Sequence, residues 1–171
     1  MEEKPLVNRV ASSGLITINL EEYYPDGPIT KFDLKDFLYM ELILKEKDFR
    51  EALKSHDWTK YQDHNLLVYC SADAIIPVWA YMLVASYAQP YAHRVFQGDE
   101  ASFLRFHYLE LIKNMDTGLY QDKRIVIKGC SKRPVPTTAY ASLTAKLKPF
   151  VLSIMYGEPC STVPIYKRPR N

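Results

Sequence analysis

The sequence predicts an α/β fold in which a mostly parallel sheet is covered by helices. Two observations predict it. Short apolar runs without in–out alternation are typical of strands buried on both faces, and each run is followed by a helical pattern of apolar residues. From residue 66 the predicted order is strand, helix, strand, helix, strand, helix. Parallel strands joined by right-handed helical crossovers account for this βαβαβα core.

An N-terminal strand and a helical segment are predicted before this core. The strand covers residues 15–20, and the Pro-Asp-Gly-Pro sequence at 25–28 indicates a turn. Residues 33–56 are predicted to be helical, because Phe49 and Leu53 share one face of a helix.

The first two strands of the core are short apolar segments. The first covers residues 66–69 and precedes a helix over 76–88, in which Pro77 is acceptable because it lies in the first turn. The second covers 92–96 and precedes a helix capped by Asp99.

The third core strand covers residues 124–128. The helix after it is predicted to begin at Thr137 or Thr138 and to continue, kinked or split at Pro149, until Gly157 ends it.

The simplest arrangement of these strands is one sheet in a single domain that covers residues 1–171. The strand at 66–70 is placed at its centre, flanked by the strands at 92–96 and 124–128. Ligands of such sheets bind beyond the carboxyl ends of the strands, where the chain changes its direction of travel. No internal repeat is predicted, because only the Cys-Ser pairs recur.

Composition excludes several classes of protein and partner. The chain has 171 residues, of which 47% are hydrophobic and 25% charged, so it is neither disordered nor collagen-like. A net charge of +2 does not predict nucleic acid as a partner. The longest apolar run, 74–85, is shorter than the roughly 20 residues that span a bilayer. No secretion signal is recognised at the N-terminus, so we expect a cytoplasmic protein with reduced thiols.

The three cysteines are the candidate site. Cys70 ends the first core strand and Cys130 follows the third, so in one parallel sheet they would lie at the same edge, on strands about 5 Å apart. Asp73 is either a helix cap or an oxygen ligand. Cys160 joins them if the chain turns back after Pro149.

Three functions remain open for this set of residues. The first is a tetrahedral zinc ion or an iron–sulfur cluster bound by Cys70, Cys130, Cys160 and Asp73, in an accessory protein of metal or sulfur handling. The second is a thiol redox or persulfide carrier enzyme. The third is a noncatalytic interaction protein whose cysteines are structural. Core packing explains most of the thirteen tyrosines, and an aromatic patch that forms a homodimer is the alternative.

Five segments of the chain resemble a known family. They are VASSGLIT (10–17), KDFREAL (47–53), CSADAIIP (70–77), KGCS (128–131) and MYGEPCSTVP (155–164). Together they resemble the bacterial family described as "domain of unknown function 2480", over essentially the whole chain. The resemblance implies no activity or substrate. It implies that members are encoded beside iron–sulfur assembly genes, whose proteins are then candidate partners, and this would suit the three Cys-Ser pairs.

Overall fold

The chain forms an α/β fold with two separate sheets in a computed structural model, which describes residues 14–129, 132–158 and 160–169. The strands of the described residues are β1 (Leu15–Asn19), β2 (Ile29–Asp33), β3 (Asn65–Tyr69), β4 (Arg94–Gln97), β5 (Arg124–Lys128), β6 (Ser153–Glu158) and β7 (Ser161–Lys167). The helices are α1 (Glu46–Ser55), α2 (Val78–Ala88), α3 (Glu100–Asn114) and α4 (Thr137–Leu147). The predicted fold class is confirmed.

The chain divides into two compact units, each with its own sheet. Unit 1 comprises Met1–Pro25 and Leu104–Asn171, and unit 2 comprises Asp26–Phe103. The sheet of unit 1 has the order β1-β5-β6-β7, in which only β7 is antiparallel to its neighbour. The sheet of unit 2 has the order β2-β3-β4 and is entirely parallel. A single domain over 1–171 stays a prediction.

The core of unit 2 lies between its sheet and helices α1 and α2. Phe32, Leu66 and Val68 are buried in one cluster with apolar residues of both helices. The only buried polar residue of the described chain, Asn65, begins the central strand, and its side-chain amide donates to the Asp26 carbonyl. This bond ties the turn before β2 to the start of β3.

The core of unit 1 lies between its sheet and helices α3 and α4. Ile125 and Ile154 are fully buried against Leu143 of α4. From α3, the buried Tyr108 hydroxyl donates to the Leu20 carbonyl at 2.9 Å, which satisfies a backbone acceptor just after β1.

The two units repeat one order of elements. Each contains a strand followed by a 3-10 turn, then a helix, a second 3-10 turn, and a parallel strand–helix–strand. Residues 61–99 correspond to residues 120–158 without a gap, since β3, α2 and β4 begin in register with β5, α4 and β6. Both segments begin with Tyr-Gln-Asp, and in each the Asp adopts a positive φ, 62° at Asp63 and 55° at Asp122. The units are therefore two versions of one architecture.

Several expectations from the sequence are wrong. β3 and β5 lie in different sheets, and β2, not β5, is the second neighbour of β3. The helix predicted to continue to residue 157 ends at Leu147, because Pro149 has no N–H to continue the helical hydrogen bonds, and β6 follows. The prediction that the chain has no internal repeat is also wrong. The two units repeat the same order of elements, although few of their residues are identical.

Candidate functional site

The carboxyl ends of β1, β5 and β6 meet at one edge of the unit 1 sheet, because these strands are parallel. A cavity of about 200 Å³ opens there. We call it the edge cavity, and its lining residues are Asn19, Glu21, Lys128, Gly129, Tyr156, Gly157 and Glu158. This is the position at which parallel sheets bind ligands.

Two glycines of the edge cavity have backbone conformations and close neighbours that only glycine accommodates. Gly129 has a φ of 147°, and a Cβ there would lie 2.8 Å from the Tyr140 hydroxyl. Gly157 has a φ of 120°, and a Cβ there would lie 2.6 Å from the Ser161 carbonyl oxygen. Residues with side chains rarely adopt such φ values. Both glycines are therefore required by the backbone geometry of this edge.

The charged side chains of the edge cavity are held by specific contacts. Lys128 Nζ donates to Glu158 Oε2 at 3.1 Å, which bridges the ends of β5 and β6. One Glu21 carboxylate oxygen accepts hydrogen bonds from the backbone N–H groups of Lys132, at 2.8 Å, and Arg133, at 3.5 Å. Glu21 thus orients the segment that follows residues 130 and 131.

Two of the three predicted cysteines are next to the edge cavity in the sequence. Cys160 is exposed at the turn between β6 and β7, two residues after Glu158. Cys130 lies outside the described residues, but it directly follows Gly129. Gly129 and Glu158 both line the cavity.

Cys70 and Asp73 belong to unit 2. Cys70 follows β3, is half-buried, and its thiol donates to the Ala72 carbonyl at 3.6 Å. Burial, and next the nearby Cys70, raise the pKa of the Tyr81 hydroxyl. Asp73 is exposed and does not cap the helix, since α2 begins at Val78 after Pro77. The expectation that Cys70 and Cys130 end neighbouring strands is wrong, because those strands are in different sheets.

The repeat also shows that the Cys-Ser pairs are not equivalent. In the gapless correspondence of the units, Cys130 matches Ser71, and Cys70 matches Gly129. The Ser71 backbone N–H donates to Asp33 Oδ1 at 3.0 Å. Burial acts to raise the pKa of Asp33, but hydrogen bonds from Ser71 and Lys35 outweigh it and lower that pKa. At this edge of unit 2 the carboxylate thus stabilises a loop.

The comparison with protein families shows the family of the chain. A family model described as "Protein of unknown function (DUF2480)" matches residues 4–168. The chain belongs to the DUF2480 family. No curated protein and no solved structure matches it. Within the described part of this DUF2480 chain, no helix has the length and apolar character that crossing a membrane requires.

The described residues of the DUF2480 chain bring together no group of three or more His, Cys, Asp or Glu side chains that could hold a metal ion. Three of its histidines have structural partners. His56 contacts the Tyr61 hydroxyl, His64 contacts Thr30, and His107 donates to a backbone carbonyl. Cys130 lies outside the described residues, so this finding does not cover it.

An apolar groove of about 640 Å³ lies beside the edge cavity, between α4 and strands β6 and β7. We call it the α4 groove. Its floor is formed partly by Met155 and Ile165, and its helix side by Ala141 and Ala145, whose small side chains leave space. Tyr156 lines both the groove and the edge cavity. Sequence reasoning missed the groove, although small residues four apart on α4 were its signal.

Proposed function

We propose that this DUF2480 protein binds a zinc ion or an iron–sulfur cluster through Cys130 and Cys160, as an accessory protein in metal or sulfur handling. One observation carries the proposal: Gly129 and Glu158 line the same cavity, and the two cysteines follow them within two residues. A residue spans at most about 3.6 Å of chain, so both cysteines start within reach of one cavity.

The chemistry of the edge cavity supports thiolate ligation of a metal. Glu21 and Glu158 supply carboxylate oxygens, which zinc accepts beside thiolates in tetrahedral sites. Lys128 already contacts Glu158, and its ammonium would balance the negative charge of bound thiolates. Two thiolates and one or two carboxylates would complete a zinc site, whereas a cluster would take further thiolates from a second chain or a partner.

Cys70 and Asp73 remain predicted ligands from the sequence, and the proposal does not need them. They follow the central strand of the other unit, where Cys70 already has a backbone partner. Cys70 therefore provides a matched control for the two cysteines of unit 1.

A second candidate function uses the same two thiols without a metal, and the exposure of Cys160 favours it. The Cys160 thiolate would attack a sulfur of a partner's disulfide, forming a mixed disulfide and releasing one partner thiol. Cys130 would then attack Cys160, which leaves a Cys130–Cys160 disulfide and the partner as a dithiol. In a persulfide carrier, the attacked group would be a partner's persulfide.

Metal content of protein purified without oxygen tests the proposal. We expect metal or cluster absorbance in the wild type and in Cys70→Ser, and loss of it in Cys130→Ser and Cys160→Ser. Circular dichroism should stay unchanged in all four proteins, since a chain of this size folds without a metal. Equal metal content in wild type, Cys130→Ser and Cys160→Ser would overturn the proposal. Metal-free protein that forms a Cys130–Cys160 disulfide would favour the second candidate.

A further inference from the structure

The α4 groove is large enough to hold a small molecule. Its volume of about 640 Å³ lies in the range of about 300–1,000 Å³ that is usual for ligand pockets. Helix α4 forms one side of the groove, and the sheet of unit 1 forms its base. At the base, Ile127 and Ile154 also belong to the buried core of the unit. The shape of the groove is therefore set by the folded core, and a ligand would not have to order it.

The lining of the groove is mostly apolar and carries no charge. None of the described residues that line it is charged, and its polar side-chain groups are the hydroxyls of threonine and tyrosine. The only charged residue of α4, Lys146, is not among them, and its Nζ donates to the Ile112 carbonyl of α3. A charged ligand group in this groove would lose its hydration without gaining an ion partner. The lining therefore favours an uncharged, apolar group.

The groove is elongated along α4. Thr137 and Ala145 both line it and are eight residues apart, which is about 12 Å along a helix. Ala141, between them, ends at its Cβ and leaves the space open. At the end next to the edge cavity, the Tyr156 ring meets the Tyr140 ring edge to face, with their centroids 5.8 Å apart. An extended alkyl chain advances by roughly 1.2 Å per bond, so about ten carbons match the length of the groove.

The corresponding helix of unit 2 has a larger side chain at the centre of this face. In the gapless correspondence of the units, Ala141 matches Met82. Met82 is 67% exposed, so the architecture accepts a long apolar side chain at this position without disturbing the core. Ala141 in unit 1 therefore leaves a space that the fold itself does not require.

The small number of lining residues decides what kind of ligand the groove can take. A protein interface uses roughly 20–30 residues on each side. Ten described residues line the groove, and only half of them are exposed. The groove is thus too small for a protein partner, whereas a small ligand needs no larger surface.

We infer that the α4 groove binds a linear alkyl chain of about ten carbons, such as that of a fatty acid or a fatty alcohol. The volume of the groove, its uncharged lining and its length along α4 agree on this class of ligand. The inference does not depend on the proposed metal site.

A series of straight-chain alcohols and fatty acids tests the inference. Isothermal titration calorimetry of the full-length protein should show 1:1 binding of decanol, with a Kd on the order of 10–100 μM. Each methylene added between about six and about ten carbons should tighten binding roughly two- to fourfold, and longer alkyl chains should gain little because they extend beyond the groove. Decanoate should bind about as tightly as decanol, because no charged residue lines the described groove.

Two variants change the groove without touching the core. Ala141→Met fills it with the side chain that unit 2 has at the matched position, and Ala145→Glu places a charge in it. Both positions are exposed and both new residues are good helix formers, so circular dichroism should be unchanged. Each variant should weaken decanol binding about tenfold or more. Thr138→Met, at an exposed position of α4 that does not line the groove, is the matched control and should bind as the wild type does.

Four results would overturn the inference. The first is a wild-type protein that does not bind decanol, or that binds all alkyl lengths equally. The second is an unchanged affinity in both Ala141→Met and Ala145→Glu, and the third is an equal loss of affinity in Thr138→Met. The fourth is an affinity of the wild type that weakens as the protein concentration rises, since a second copy would then fill the groove.

Discussion

Gly157→Ala tests the backbone geometry at the end of β6, beside the edge cavity. Gly157 has a φ of 120°, a region in which a residue with a side chain costs about 1–3 kcal/mol. The added Cβ would also lie 2.6 Å from the Ser161 carbonyl oxygen, a backbone atom of the next strand. That atom can move only if the paired ends of β6 and β7 separate, since Gly157 pairs with Thr162 and Glu158 with Ser161.

The expected loss is about 3 kcal/mol of unfolding free energy, which combines the backbone cost with the opened strand pair. For a chain of this length, each kcal/mol lowers Tm by about 2–4 °C, so Tm should fall by roughly 6–12 °C. Urea unfolding followed by circular dichroism measures the free energy directly, and calorimetry measures Tm.

Gly118→Ala is the matched control. Gly118 does not have a positive φ, and the nearest atom to its added Cβ, at 3.1 Å, is the Asp116 carboxylate oxygen, the end of a mobile side chain. Its stability should stay within about 0.5 kcal/mol of the wild type. If Gly157→Ala were equally harmless, the backbone described at the end of β6 would be wrong.

Three further predictions concern the cores of the units. Tyr108→Phe should cost about 1–3 kcal/mol in urea unfolding, because the buried Leu20 carbonyl loses its donor; an unchanged midpoint would contradict this. Leu143→Ala, at a fully buried position of α4, should cost about 2–5 kcal/mol, and a loss below about 1 kcal/mol would place Leu143 outside the core. Burial lowers the pKa of His56 below its usual value of 6.5, so the unfolded chain binds the proton more tightly and stability should fall as the pH drops below 6.5. His56→Phe should reduce the dependence of the unfolding free energy on pH. If this dependence were unchanged in the variant, His56 would not be the group responsible for it.

Local sequence patterns were sufficient for the strands and helices that are buried and uniform. The apolar runs of β3 and β5 are confirmed because each is buried on both faces. α2 begins at Val78, two residues after the predicted start, and Pro77 is its N-cap, not a residue of its first turn. β2 was not predicted, because the exposed Lys31 interrupts its run of apolar residues. β6 escaped because Ile154 continues the helical spacing of α4, and only Pro149 indicated the break.

The choice of sheet partners could not be read from the sequence, because it depends on contacts between distant segments. β5 pairs with β1 and not with β3. The sequence of β5 does not predict this choice, because all three strands are short and apolar. The same wrong pairing of β3 with β5 led to the prediction that Cys70 and Cys130 lie on neighbouring strands. The general rule that ligands bind at carboxyl ends of parallel strands nevertheless pointed to the edge where Gly129 and Glu158 meet.

The repeat explains why the cysteine pattern alone was misleading. Cys-Ser recurs at 70 and 130, yet in the matched architecture Cys70 corresponds to Gly129. Cys70 bears its thiol near Tyr81, whereas at Gly129 the absent side chain leaves room for the Tyr140 hydroxyl. The space beside this position thus differs between the units, since a thiol lies there in unit 2 and the Tyr140 hydroxyl in unit 1. We expect ligand chemistry only in unit 1.

Protection of thiols by zinc tests the central claim, that Cys130 and Cys160 form one thiol site, most directly. Reduced, metal-free protein is titrated with zinc, and the thiols that still react with a chromogenic disulfide are counted. The account predicts that one equivalent of zinc protects two thiols in the wild type and in Cys70→Ser, and none in Cys130→Ser or Cys160→Ser. Full protection that persists in Cys160→Ser, or loss of protection in Cys70→Ser, would contradict it.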